Sequence, residues 1–108
     1  MKFKVLFLAH TPDAEPGNHR SEIETSKYKL FVVLVRNQEQ ALKVCKEFSK
    51  EEGIHSILLC PGFTYEHVTE ILETVGREIG VFVARGDGPS QKVSHEIMRK
   101  AGWFPEEE

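Results

Sequence analysis

The chain has 108 residues, 40% of them hydrophobic and 29% charged, which is the composition of an ordinary globule and not of a disordered tail. Lys and Arg number 14 against 17 Asp and Glu, a formal net charge of -3. The richest basic runs, Lys27-Tyr28-Lys29 and Arg99-Lys100, fall short of the concentrated basic surface that nucleic-acid binding needs. No stretch approaches the roughly 20 apolar residues of a membrane span, so neither nucleic acid nor membrane is expected as a partner.

A chain this short has room for one core, so a single domain over 1–108 is expected, thin enough that subunit association would supplement it. Met1-Lys2-Phe3-Lys4 looks like the start of a signal peptide for four residues. The apolar run then ends at His10-Thr11-Pro12-Asp13 without a cleavage motif, and reads better as a strand. Cys45 and Cys60 form no CxxC pair, and a reducing cytoplasm is the simplest compartment for them.

Taken in chain order, Lys2–Ala9 contains the run Val5-Leu6-Phe7-Leu8 and predicts a first strand covered on both faces. Residues 10–26 hold Pro12, Gly17, Asn18 and many charges, a long polar loop of the kind used as a lid or linker, with Glu22–Thr25 as a candidate short edge strand or half-turn. Tyr28–Val35 is β-branched and aromatic and predicts a second strand. Asn37-Gln38-Glu39-Gln40 then supplies an N-cap with Gln at N3, a reciprocal capping arrangement. Ala41, Leu42, Cys45 and Phe48, with Val44 beside them, form one helix face, and Gly53 ends the helix in a left-handed cap.

Ile54–Cys60 predicts a third strand broken by Pro61-Gly62. Thr64 caps a helix with Tyr65, Val68, Ile71, Leu72 and Val75 as its inward face, and Gly76 or Gly80 stops it. Gly80–Ala84 is the fourth strand. After the turn at Gly86, Gly88 and Pro89, a last helix carries Val93, Ile97, Met98 and Ala101 on one side. Gly102 caps it, Trp103-Phe104 fold back, and the acidic tail 105–108 follows. The expected architecture is α/β: a small open, mostly parallel four-stranded sheet flanked by helices, like a doubly wound sandwich or half of a β/α barrel. The direction of the first strand stays open.

Parallel strands would gather their terminal polar residues at one sheet edge, where open α/β proteins bind ligands. Arg85-Gly86-Asp87-Gly88-Pro89-Ser90 is the strongest local candidate. Its glycines admit close approach of amides, the following helix directs N–H groups at an anion, and Arg85 adds a bidentate cation. The plain alternative is a tight turn with Asp87 or Ser90 as helix cap. The loop matches neither the phosphate-binding P-loop nor the dinucleotide fingerprint, so no cofactor is expected.

Cys60, at a strand end beside a helix start, has the position of a nucleophile, although a buried structural thiol is the commoner use. Cys45 faces the core. His10 immediately follows the first strand and is the preferred acid-base residue, with Asp87 as a further candidate. His10, Asp13 and His19 share one loop but fit no compact zinc spacing, so no metal is expected. Arg36 ends the second strand and is a candidate ligand residue. His55 and His67 read as local hydrogen-bonding residues, and His95 faces either solvent or the crevice. Trp103 and Phe104 complete the core or anchor a subunit contact, the latter favouring a homo-oligomer and a dimer first.

At His10-Thr11-Pro12-Asp13, Tyr28-Lys29-Leu30-Phe31, Leu59-Cys60-Pro61-Gly62-Phe63 and Arg85-Gly86-Asp87-Gly88-Pro89-Ser90, the chain resembles a small prokaryotic family of single-domain proteins of unknown function. The resemblance covers nearly the whole chain and implies a bacterial or archaeal cytoplasmic α/β protein, without transferring a chemical role. The residues themselves point to binding of a small anionic metabolite at the strand-end crevice through Arg85, Gly86, Asp87, Gly88 and Ser90. The rivals are a cofactor-independent lyase or isomerase and a structural or regulatory homo-oligomer.

Overall fold

The structure is a computed structural model and describes residues 1–104; the acidic tail 105–108 lies outside them. Strand β1 (Phe3–His10) is followed by β2 (Arg20–Glu24), β3 (Tyr28–Val35), helix α1 (Gln38–Glu51), β4 (Ser56–Leu59), α2 (Tyr65–Val75), β5 (Gly80–Val83) and α3 (Gly88–Lys100). The sheet order is β2-β3-β1-β4-β5. β1 runs parallel to both β3 and β4, and β4 parallel to β5. This is an α/β fold with an open, mixed and mostly parallel sheet, and β1 takes the central parallel position.

Five strands form where the sequence pattern suggested four. The extra one, β2, pairs antiparallel with β3 from Arg20↔Val33 to Glu24↔Lys29. Its signal is faint because Arg20, Glu22 and Glu24 alternate with Ser21 and Ile23 on an edge exposed along its whole length. The long polar segment therefore shrinks to residues 11–19, and that stretch is tied to itself. Thr11 donates its backbone N–H to Val35, the amides of Asn18 and His19 both donate to the Glu15 carbonyl, and Ala14 is fully buried.

The two crossovers β3-α1-β4 and β4-α2-β5 step across the sheet in the same direction, so their right-handed turns lay both helices on one face, where they pack against each other. Leu6, Leu8, Val33, Val35, Ile57 and Leu59 point to that face and are buried completely. The Phe31 and Phe48 rings meet edge-on at 5.0 Å. In α1 the core residues are those the helical spacing selects: Ala41, Val44, Cys45 and Phe48. Cys45 is fully buried in this core, and burial pushes its thiol up to about 12.

The expected face of α2 needs correcting at two positions. Ile71 is buried and Val68 and Val75 pack against the core, but Tyr65 is 94% exposed and Leu72 38%. α2 sits toward the β5 side of the sheet with a neighbouring helix on one flank only, so its apolar arc is wider than the surface available to cover it. The capping details also differ. Asn37 accepts from the Gln40 N–H as predicted, while the Gln40 side chain accepts the Arg36 N–H, one residue before the N-cap, so the box is not closed. Gly53 takes the left-handed conformation, φ 64°, just beyond α1, where any other residue would be strained.

Candidate functional site

β1 and β4 are neighbours, with Leu8 level with Leu59. His10 and Cys60 therefore leave the sheet side by side. The Cys60 Sγ lies 3.5 Å from His10 Nδ1 and accepts the His10 backbone N–H at 3.4 Å. This junction is where the chain's connections part: β1 leads away toward β2 and β3, whereas β4 leads through α2 to β5. Such a parting is the topological switch point at which ligand crevices of open α/β sheets form.

The pair is held from three sides. His10 stacks on Phe63, ring centroids 4.2 Å apart at 28°. Gly62 leaves the room for it, because a Cβ there would come 3.0 Å from His10 Nδ1 and 3.7 Å from Cys60 Sγ. The start of α2 is fastened by a reciprocal box in which Thr64 accepts the His67 N–H and His67 Nδ1 accepts the Thr64 N–H. Gln38, opening α1, donates to the His67 carbonyl and to Glu70, so both helix starts are locked together beside the pair. Burial, and after it the neighbouring His67, holds the His10 imidazole below the ordinary histidine value of 6.5. At neutral pH the ring is therefore uncharged, with one nitrogen able to accept a proton.

The β5 end of the same edge is built differently. Ala84 donates its N–H to the Leu59 carbonyl, which keeps the chain beside β4 for one residue past the strand. Two strand spacings, roughly 10 Å, separate the β1 line from the β5 line. Arg85, Gly86, Asp87, Gly88 and Ser90 are all exposed. Asp87 occupies the N-cap position of α3 but its side chain makes no capping bond, so the first-turn amides keep no side-chain partner there. Gln91 folds back over Gly86, at 3.3 Å from where a Cβ would stand. Among the described residues no carboxylate lies within ion-pair distance of Arg85. A shallow depression at this helix start is lined by Gly88, Gln91, Lys92 and His95.

Several candidates are employed elsewhere. Arg36 pairs with Glu15 at 3.6 Å. Nδ1 of His19 accepts the Glu15 N–H, and the Thr11 hydroxyl holds the Asp13 carboxyl below the usual carboxylate range. Among the described residues no three His, Cys, Asp or Glu side chains come together as a metal group. His55 takes the Lys4 N–H, and His95 lies 4.9 Å from the folded-back ring of Phe104. Sequence reasoning missed Phe63 and gave His67 only a local role. The signal for both was Phe63-Thr64 directly before a helix, with His at N3 in the place usually taken by Glu or Gln.

The fold and this edge together define a small α/β protein with a half-covered, mostly parallel sheet and a thiol–imidazole contact at its switch point. Residues 3–99 match the model described as "Family of unknown function (DUF6506)", and the chain belongs to that family. None of the curated proteins and none of the solved structures compared with the chain matches it. Among the described residues no helix is long and apolar enough to cross a membrane.

Proposed function

We propose that the C-terminal edge of the sheet binds a small anionic metabolite, with the Arg85–Ser90 loop as its cationic, amide-rich wall and the His10–Cys60 pair beside it. The observation that carries the reading is that β1, β4 and β5 run parallel, so His10, Cys60 and Arg85 leave the sheet at one edge. Arg85 supplies a forked donor suited to carboxylate or phosphate, and the first-turn amides at Gly88 and Ser90 add the positive end of α3. Arg36, at the end of β3 and paired at the surface with Glu15, is a further cationic ligand residue. The two free cysteines suit a reducing compartment, and the cytoplasm is taken as the place of action.

The test is a screen of small carboxylates and phosphates by calorimetry against the wild type and Arg85→Ala. A charge-assisted pair is worth about 1.5–3 kcal/mol, so the variant is expected to bind roughly tenfold or more weakly. Equal binding by both removes Arg85 from the site.

One contact favours a second reading. A neutral imidazole 3.5 Å from a thiol is equipped for proton transfer, and a cofactor-independent lyase or isomerase would use His10 as acid-base group, Arg85 to hold the substrate, and Asp87 or Cys60 to assist. A bound anion that is converted by the wild type, and bound but not converted by His10→Gln, selects this reading. A bound anion recovered unchanged from the wild type selects binding alone.

A further inference from the structure

The sheet has two faces, and α1 and α2 cover one; among the described residues no helix packs on the other, where Val5 and Ser56 are buried by their neighbours within the sheet. On the face opposite α1 and α2 the alternating positions of all five strands carry no charged side chain. Several of these residues stand in the open: Phe3 is 50% exposed, Ile23 62%, Tyr28 38%, Leu58 37% and Phe82 59%. The topology explains the gap. A right-handed helical connection from β1 to β3 would have crossed this face, but the β2–β3 hairpin makes that connection within the sheet.

α3 has the matching deficit. Pro89, Val93 and Ile97 fall at i, i+4 and i+8 on one side of the helix, with Val93 65% and Ile97 58% exposed. α3 buries none of its residues, and among the described residues no other strand or helix comes within 8 Å of it, Cα to Cα. The molecule is correspondingly elongated, 50 × 28 × 28 Å, with a radius of gyration of 14.6 Å where a compact chain of this length has about 13 Å. It exposes 7597 Å², about a quarter more than the roughly 6,100 Å² of a folded monomer of its mass.

We propose that the uncharged sheet face and α3 together form a homodimer interface, in which two copies related by a two-fold axis each lay α3 across the open face of the other. α3 stands clear of its own sheet, so a second copy is the partner that supplies both missing surfaces at once, and an isologous contact covers all four in one step. The dimensions agree: a helix of 13 residues is about 20 Å long, and five strands span about 20 Å. The area agrees as well. The exposed parts of Phe3, Ile23, Tyr28, Leu58, Phe82, Val93 and Ile97 amount to ~650 Å² per protomer, taking large apolar side chains at ~175 Å² each; polar rim atoms bring this to the ~800 Å² per partner of a stable interface. Lack of charge is also the mark of an interface centre.

The experiment is light scattering coupled to size exclusion on the full chain, on Phe82→Glu, and on the double variant Val93→Glu/Ile97→Glu, with circular dichroism to confirm folding. A dimer is expected for the wild type at micromolar concentration and a folded monomer for both variants, a shift in Kd of at least about 100-fold. Cross-linking then fixes the geometry without depending on destabilised variants. Leu58→Cys and Ile97→Cys, each in a Cys45→Ala/Cys60→Ser background, are mixed as separate chains, and an interchain disulfide joining the two kinds of chain is expected. A wild-type monomer, or a dimer that survives both glutamate variants, overturns the proposal. A third chain carries both Leu58→Cys and Ile97→Cys in the same background; a disulfide that forms only within that chain, and not between the two singly substituted ones, also overturns the proposal, because each α3 would then cover its own sheet.

Discussion

The C-terminal edge of the sheet contains two polar clusters of opposite character. At the β1–β4 junction His10, Cys60, Phe63 and His67 are knitted by stacking, a thiol contact and a capping box. At the end of β5, Arg85 to Ser90 are exposed, and the N-cap Asp87 makes no side-chain bond. The difference follows from neighbours. β1 and β4 lie in the middle of the sheet beneath two packed helices, whereas β5 is an edge strand leading into a helix that nothing covers. One cluster is organised before any ligand arrives, and the other has donors to offer.

That contrast can be broken by substitution. The largest stability effect is expected at Gly62→Ala, because the added methyl would stand 3.0 Å from His10 Nδ1 and the ring is pinned by Phe63. Crowding of this kind costs about 1–2 kcal/mol, read as a lowered urea midpoint, with the His10 ring displaced from Cys60 in its NMR spectrum. Thr64→Ala removes one half of the α2 capping box and is expected to cost about 1 kcal/mol in the same assay. If either substitution is silent, the junction is less rigid than its contacts imply.

A pH effect separates the clusters further. His10 binds its proton less readily in the folded chain than its ordinary value of 6.5. Between that value and the lower folded one the unfolded chain carries more protons, so stability rises with pH through the window and declines on acidification, levelling off below it. Urea midpoints at about pH 7 and about pH 5 should therefore differ less for His10→Asn than for the wild type. The smallest effect is expected at the open cluster: Arg85→Ala should change stability by less than about 0.5 kcal/mol while weakening anion binding. A large loss of stability there would mean that Arg85 is structural.

Where the pattern was legible, its physics was local or strongly periodic. β1 and β3 announce themselves as apolar runs, and α1 by Asn37, its core stripe and Gly53. β2 was faint because an exposed edge strand needs no apolar alternation, and Tyr65 and Leu72 misled because helical spacing says which residues share a face but not how wide a face is covered. At the site, His10 and Cys60 were visible as strand-end residues. Their contact was not, since it depends on β1 lying beside β4, a pairing across 50 residues that no local signal encodes. Arg36 was drawn from the same strand-end argument, and the ion pair with Glu15 that occupies it arises from how residues 11–19 fold over the end of β3.

The account rests on the two clusters acting as one site, and amide chemical shifts of the nitrogen-15-labelled chain test this directly. Titrated with inorganic phosphate or a small dicarboxylate at millimolar concentration, the amides of Arg85 to Ser90 and those of His10 and Cys60 are expected to move together along one saturating curve. Shifts confined to one cluster, separate saturation of the two, or movement only at the opposite end of the sheet would contradict it.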